Sequence, residues 1–204
     1  MRYDVPVTPS HVPSIPACAG MTDQKNSEES SMARISYADE TADKEIAALA
    51  AQIRAERDGK IPNIYRMLLN SPPIAQGWLN LLTAIRHKST LAGKYRELVI
   101  IRIAVINGAD YERDFHIPIA RKEGMSEAQI AAIGEWERTT VFDDASRAVL
   151  AYTDAMTRNV HVPDAVFAAV KAHFDARTIT ELTATVAAYN LVSRFLEALQ
   201  IDHE

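Results

Sequence analysis

Glu112 and His116 form the combination of side chains in this sequence that is best suited to proton chemistry. Residues four apart on a helix lie on the same face, so this carboxylate and imidazole can share a hydrogen bond or converge on one ligand. A neighbouring carboxylate fixes the tautomer of an imidazole and raises its basicity, which suits proton transfer near neutral pH. The alternative interpretation is a surface ion pair that contributes only a few tenths of a kcal/mol, roughly, to stability.

The position of this pair along the chain favours a functional site. Residues 91–107 read as a helix that is apolar on nearly every side, which predicts a central location, and Gly108 ends it. A second helix is predicted from about 110 to 122. Within it, Pro118 lacks a backbone donor and is predicted to kink the helix beside His116. Irregular backbone next to a polar pair fits a site better than a smooth, solvated helix face does.

Glu97 is a second candidate, because it lies within the apolar helix, where a carboxylate is unfavourable unless it has a partner. Arg96 is predicted to lie on a different face of that helix, so the partner of Glu97 is expected elsewhere. Two interpretations stay open. Glu97 belongs to a relay with His116, or it forms a salt bridge to Arg102 or to a neighbouring helix.

The elements that must position these residues are helices. Helical periodicity extends from about residue 39 to the carboxyl end. Ser126 and Gln129 have the spacing of a capping box that opens one helix, and Thr178 and Glu181 have the spacing of a box that opens the last one. The sequence has no run of alternating strand-like residues, and the predicted loops are short. We therefore predict an all-α fold of roughly eight helices.

Residues 1–35 differ from the rest of the chain. They hold four of the nine prolines and a long polar run without apolar periodicity. Such a segment cannot bury enough apolar surface to offset the entropy of ordering it. We predict a disordered tail over 1–35 and a single helical domain over 36–204. Met32 begins a stretch that reads more like a natural start than Met1 does.

Composition excludes several classes of partner. The 204 residues include 22 basic and 27 acidic side chains, a net charge of −5, which argues against nucleic acid. Cys18 is the only cysteine, so no intrachain disulfide can form. The longest apolar run is much shorter than the ~20 residues of a membrane helix, and Arg102 interrupts it. We expect a cytoplasmic protein that binds neither nucleic acid nor membrane.

A family resemblance runs through the same residues. The segment from Arg96 to Ala104, the pair Tyr111-Glu112, and the segment from His116 to Gly124 together resemble the carboxymuconolactone decarboxylase family, which includes the alkylhydroperoxidase D-like proteins. The likeness covers nearly all of residues 40–200. It implies an all-helical domain, assembly into trimers or hexamers, a small-molecule substrate and no bound cofactor. No metal is expected, because no third ligand accompanies Glu112 and His116.

The peroxidase branch of that family has the motif Cys-x-x-Cys-x-x-x-His, with a glutamate upstream. The resemblance places its histidine at His116, its glutamate at Glu97, and the tyrosine before its second cysteine at Tyr111. The two cysteine positions fall on Ala109 and Glu112. Reduction of peroxides by a dithiol needs one thiolate to attack and a second thiol to resolve. This chain lacks the residues for that mechanism.

Three functions remain as hypotheses. The favoured one is a cofactor-free acid/base enzyme, resembling the decarboxylase branch, that decarboxylates, isomerises or opens a small oxo-acid or lactone. In that enzyme His116 is the general acid/base, Glu112 and Glu97 orient it, and Tyr111 is an additional donor. The second hypothesis is a non-catalytic, oligomeric ligand-binding module. The third, disfavoured because both thiols are missing, is an antioxidant protein of the alkylhydroperoxidase type.

Overall fold

The computed structural model describes residues 33–204, and this part of the chain is built from helices. Nine α-helices follow one another: α1 (Lys44–Glu56), α2 (Asn63–Leu68), α3 (Pro72–Thr83), α4 (Gly93–Asn107), α5 (Asp110–Lys122), α6 (Glu127–Ala132), α7 (Asp144–Asn159), α8 (Asp164–Lys171) and α9 (Ala176–Leu199). A π-helical turn, Ala84–Lys88, continues α3, and a 3-10 segment, Ile133–Arg138, continues α6. The prediction of an all-α fold is confirmed.

Helix α4 is the centre of this fold. Eight consecutive residues, Glu97–Ala104, are buried, so every face of the helix meets protein. Helices α5, α7 and α9 pack around it. This is the arrangement expected for a helix without a polar face. A polar side chain within this buried stretch must therefore find its partner inside the protein.

A tight turn at Gly108 brings α5 back alongside α4. Gly108 has φ +69°, in the left-handed region that favours glycine at the end of a helix. The N–H of Ala109 donates to the carbonyl of Ala104 at 2.9 Å, which closes the turn. Helix α5 continues through Pro118 without a break. The turn places the facing sides of α4 and α5 in contact.

The predicted helix starts are confirmed in one case and wrong in another. Ser126 and Gln129 form the reciprocal capping box at the start of α6. At α9 the N-cap is Asp175, whose side chain accepts from the N–H of Thr178, so the box predicted at Thr178 and Glu181 does not form. Asp175, three residues before Thr178, is the residue that caps the helix. Glu181 instead accepts backbone N–H donors from the loop before α4.

The first described residues contact the end of α9. The N–H of Arg34 donates to the carbonyl of Leu199 at 2.9 Å, and Ala33 packs against the core. The rest of the tail predicted over 1–35 lies outside the described residues. Across residues 33–204, none of the helices combines the length and the apolar character needed to cross a bilayer.

Candidate active site

Helices α4 and α5 bring Glu97 and His116 into direct contact. His116 Nδ1 and Glu97 Oε2 are 2.6 Å apart, and both side chains are only 2% exposed. The second carboxylate oxygen of Glu97 accepts from Arg96 Nε at 3.0 Å. Arg96 also bonds Glu123 at the end of α5. Of the two interpretations of Glu97, the structure therefore supports the contact with His116.

The two neighbouring arginines have different partners. The Glu97 carboxylate contacts the adjacent Arg96 in addition to His116, which lies on another helix as expected. Arg102 is not a partner of Glu97, because it forms a bidentate pair with Asp154 of α7, with both distances at 2.6 Å. Long side chains can bridge between faces of a helix, so sequence spacing alone does not fix their partners.

The charges at this contact reinforce one another. Burial raises the pKa of the Glu97 carboxyl, but the hydrogen bond and charge of His116, with help from Arg96, outweigh burial and leave that pKa lowered. Burial lowers the pKa of His116, but Glu112 and Glu97 outweigh it and leave that pKa raised above the ordinary 6.5. The imidazole is therefore mostly protonated at and below pH 6.5. It is better prepared to give up a proton than to take one.

Glu112 lies on the other side of the imidazole. Its Oε2 is 3.4 Å from His116 Nε2, and the two side chains are buried one helical turn apart, as their spacing predicts. The contact is an ion pair without hydrogen-bond alignment, and Oε2 has no hydrogen bond within the described part of the chain. One carboxylate thus fixes the ring through Nδ1, and the second leaves an oxygen available beside Nε2.

A small cavity of about 30 Å³ adjoins this oxygen. Glu112 and His116 line it together with Tyr189 of α9, and Phe115 lies at its rim, 38% exposed. The ring of Tyr189 meets the ring of His116 edge to face, with centroids 5.4 Å apart. A volume of this size holds about one water-sized group. A group in this cavity therefore lies next to both the imidazole and the Glu112 carboxylate.

Tyr111 is near the site, but its hydroxyl is engaged elsewhere. Its ring lines the cavity, while its hydroxyl donates to Glu204 at 2.5 Å. Burial, and then Glu204, raise the pKa of this hydroxyl. Tyr111 also lines a larger cavity of about 510 Å³, which neither Glu112 nor His116 reaches. Tyr111 therefore belongs to the wall of the site, and its hydroxyl does not contact the polar pair.

Sequence reasoning missed the residues that the first helices bring to the cavity. Arg57 at the end of α1, Tyr65 of α2 and Arg86 of the π-helical turn all line it. Arg57 donates to the Tyr65 hydroxyl at 2.8 Å and to Thr83 at 3.2 Å. Nothing in the local sequence marks these residues, because they are separated from His116 by 30 or more positions. Only the tertiary fold brings them together.

The described residues contain no group of three or more His, Cys, Asp or Glu side chains placed to hold a metal ion. At the two positions where the peroxidase branch has cysteines, Ala109 is fully buried before α5, and Glu112 lines the cavity. The only cysteine of the sequence, Cys18, lies outside the described residues. The side chains described at this site therefore carry protons but no thiol.

Comparison with known proteins agrees with this fold. Residues 72–155 match the model of the carboxymuconolactone decarboxylase family. The uncharacterized protein YnjA of Escherichia coli is 32% identical over 145 residues, which cover 70% of this chain and 74% of YnjA. The chain belongs to the carboxymuconolactone decarboxylase family, among its AhpD-like proteins.

Two solved structures extend the comparison. A protein of unknown function from Agrobacterium tumefaciens, named as a candidate antioxidant defence protein AhpD, is 26% identical with a TM-score of 0.64, covering 67% of this chain and 94% of that one. A cysteine-to-alanine variant of the debrominase Bmp8, in complex with 2,3,4-tribromopyrrole, is 17% identical with a TM-score of 0.71, covering 85% and 94%. The second likeness is one of fold.

Proposed function

We propose that this protein is a cofactor-free acid/base enzyme that acts on a small oxo-acid or lactone, by decarboxylation, isomerisation or ring opening. One observation carries the proposal. A buried imidazole is held through Nδ1 by Glu97, and its Nε2 faces a second carboxylate, Glu112, at the wall of a cavity. An acid and a base therefore lie side by side at the position that a substrate group can reach.

For an oxo-acid, the arrangement supports formation of an enol. The Glu112 carboxylate takes a proton from the carbon next to the carbonyl, and the electron pair of that C–H bond moves towards the carbonyl oxygen. Protonated His116 gives its Nε2 proton to that oxygen. When the oxo-acid carries a C=C bond β,γ to the carbonyl, this intermediate is a dienol. Return of its O–H proton to His116, with delivery of the Glu112 proton to the γ-carbon, then moves the C=C bond into conjugation and completes an isomerisation. Glu97 keeps the ring oriented throughout.

The antioxidant alternative draws no support from the site. Dithiol chemistry requires two cysteines, and the positions of the motif hold Ala109 and Glu112. Peroxide reduction in a Cys18→Ala background tests this alternative directly. Activity that is equal with and without Cys18 and that needs Glu112 would contradict the acid/base proposal.

The main experiment follows enolisation by exchange of carbon-bound hydrogen in D₂O. Proton NMR detects solvent deuterium entering 2-oxobutanoate, 4-oxopentanoate or γ-butyrolactone, whichever reaction follows. We expect His116→Ala and Glu112→Gln each to slow exchange by roughly 10²-fold or more. The double variant is expected to be little worse than either single one, because the two groups act as a unit.

Arg158→Gln is the matched control, because Arg158 is exposed and lines a different cavity. It is expected to keep the wild-type rate, with circular dichroism showing an intact fold for every variant. Exchange that is as fast in His116→Ala as in the wild type would refute the proposal. Absence of exchange and turnover across a broad panel of oxo-acids and lactones would favour the non-catalytic binding module.

A further inference from the structure

We propose that the cavity beside His116 takes a small monocarboxylate that carries a second oxygen, with Arg86 as the anchor of the carboxylate and Tyr189 as the donor to the second oxygen. This inference rests on the proposed function for the reaction at the site. It narrows the substrate from oxo-acid or lactone to an anionic oxo-acid. The binding step on which it depends can be measured without turnover.

Arg86 is a cation without an acidic partner. It lies in the π-helical turn Ala84–Lys88, a backbone irregularity of a kind that recurs at functional sites. The guanidinium is half-buried at the cavity wall and makes a cation–π contact with Phe115, 5.9 Å from its ring centre, but forms no ion pair or hydrogen bond with any described residue. By contrast, the buried Arg102 is fully engaged with Asp154 and two carbonyls. A planar guanidinium left free at a cavity suits a carboxylate.

Several buried polar atoms without a hydrogen bond belong to residues that line the same cavity. Four buried side-chain nitrogen or oxygen atoms lack a hydrogen bond among the described residues, and three belong to residues that line this cavity: Arg57 Nε, Glu112 Oε2 and the Tyr189 hydroxyl. Since about nine in ten such groups are paired in folded proteins, the clustering points to a ligand at this cavity. The Tyr189 hydroxyl can donate to an oxygen placed beside His116.

The charge of the lining favours an anion. Glu97 balances the charge of His116 from outside the cavity, and the two arginines of the lining, Arg57 and Arg86, then face a single lining carboxylate, Glu112. Burial raises the pKa of Tyr189, and among the charged groups that act on this hydroxyl Arg86 is the leading one, which lowers it. The guanidinium therefore lies within electrostatic reach of the hydroxyl. A neutral lactone would leave Arg86 unpaired, whereas an oxo-acid pairs it.

The size of the cavity indicates which end of the substrate enters it and which end stays outside. A cavity of about 30 Å³ is too small for the whole substrate, so only its carbonyl end approaches Tyr189, His116 and Glu112. The carboxylate then stays at the rim, where Arg86 and Phe115 are partly exposed and can change rotamer without unpacking the core. Apolar side chains, including Leu82 and Val192, line the rest. The body of the substrate is therefore short and apolar.

An anchored carboxylate is not the group that leaves. Pairing with a guanidinium stabilises the carboxylate in the ground state, and this stabilisation disappears as the charge moves away in the transition state of CO₂ loss. Arg86 therefore favours proton transfer at another carbon over loss of the carboxylate that it holds. Among the three proposed reactions, the anchor favours isomerisation.

The test is a set of calorimetric titrations that vary ligand and side chain together. The ligands are 4-oxopentanoate, its amide, and pentanoate, and the proteins are wild type, Arg86→Gln, Arg86→Lys, Tyr189→Phe and the control Arg158→Gln. Arg86→Gln is expected to weaken 4-oxopentanoate roughly 10- to 100-fold and to leave the amide unchanged. Arg86→Lys is expected to retain part of the affinity, because the charge remains. Tyr189→Phe is expected to weaken 4-oxopentanoate but not pentanoate.

The outcomes separate this inference from the proposed function. Any one of three results overturns the inference. The wild type binds 4-oxopentanoate and its amide with equal affinity, Arg86→Gln loses the same affinity for both, or the wild type binds no carboxylate at all. Deuterium exchange that continues under those results leaves the acid/base function intact. Binding that depends on Arg86 and on ligand charge, without exchange or turnover, supports the anchor and overturns the acid/base function.

Discussion

The contact between Glu97 and His116 gives the most direct test of the charges at the site, through Glu97→Gln. Glutamine keeps the shape of the side chain and an oxygen that can accept from Nδ1–H, but it removes the negative charge. At 2.6 Å and an effective dielectric constant of about 20, the attraction between the charged groups is about 6 kcal/mol. Removing both charges from water offsets several kcal/mol of this. We expect Glu97→Gln to lower the free energy of unfolding by about 2–4 kcal/mol.

The pH dependence of that loss distinguishes a charge effect from a packing effect. The folded pKa of His116 is raised, so its contribution is complete below about 6.5 and is lost as pH rises through the folded value. The folded pKa of Glu97 is lowered, so its contribution is present above about 4.5 and is lost as pH falls through the folded value. The loss in Glu97→Gln is therefore expected to be largest between about pH 4.5 and 6.5 and smaller at about pH 9.

Urea unfolding followed by circular dichroism, at about pH 6 and about pH 9, measures both quantities. A double-mutant cycle with His116→Gln isolates the interaction between the two side chains. Glu127→Gln, in an exposed pair with Arg121, is the control and is expected to leave stability unchanged at both pH values. A loss in Glu97→Gln that is equal at the two pH values, or a cycle without coupling, would refute the charge assignment.

Three further predictions concern the scaffold. Arg102→Met, which leaves Asp154 without its buried partner, is expected to lower the free energy of unfolding by about 3–5 kcal/mol in urea, and a change below the error of the titration would contradict it. Removing the residues before Met32 is expected to leave the melting temperature unchanged, because that segment lacks apolar periodicity; a large drop would show that it docks on the domain. The protein is expected to form at least a dimer, and more specifically a trimer or hexamer, so light scattering that gives a monomer of 22.6 kDa would contradict assembly.

Local patterns predicted the helices well, because their signals lie within a few residues. The capping box at Ser126 is a contact between neighbours, and the burial of α4 follows from its apolar composition. The start of α9 was misplaced because two capping signals lie three residues apart and the aspartate at 175 comes first. The π-helical turn that holds Arg86 has no periodic signature, so it could not be anticipated.

The site was predictable only where residues lie close in sequence or match the family. Glu112 and His116 were found from their spacing, and Glu97 from the resemblance and its apolar setting. The cavity depends on α1, α2, α3 and α9, which approach α5 only in the folded chain. The partner of Arg102 lies 52 residues away on α7, so no local rule could identify it. Local sequence patterns do not indicate which side chains from distant parts of the chain come into contact.

The geometry relates the chemistry of this site to positions 109 and 112, where the peroxidase branch has its two cysteines. The contact between Glu97 and His116 is fixed by the packing of α5 on α4 and by the turn at Gly108 between them. Position 112 lies outside that contact, one helical turn before the histidine, and its side chain faces the cavity. A thiol at this position supplies electrons and a carboxylate supplies proton transfer, while the scaffold needs neither. We infer that this contact holds the imidazole independently of the side chains at 109 and 112, and that those side chains set the type of reaction that the site supports.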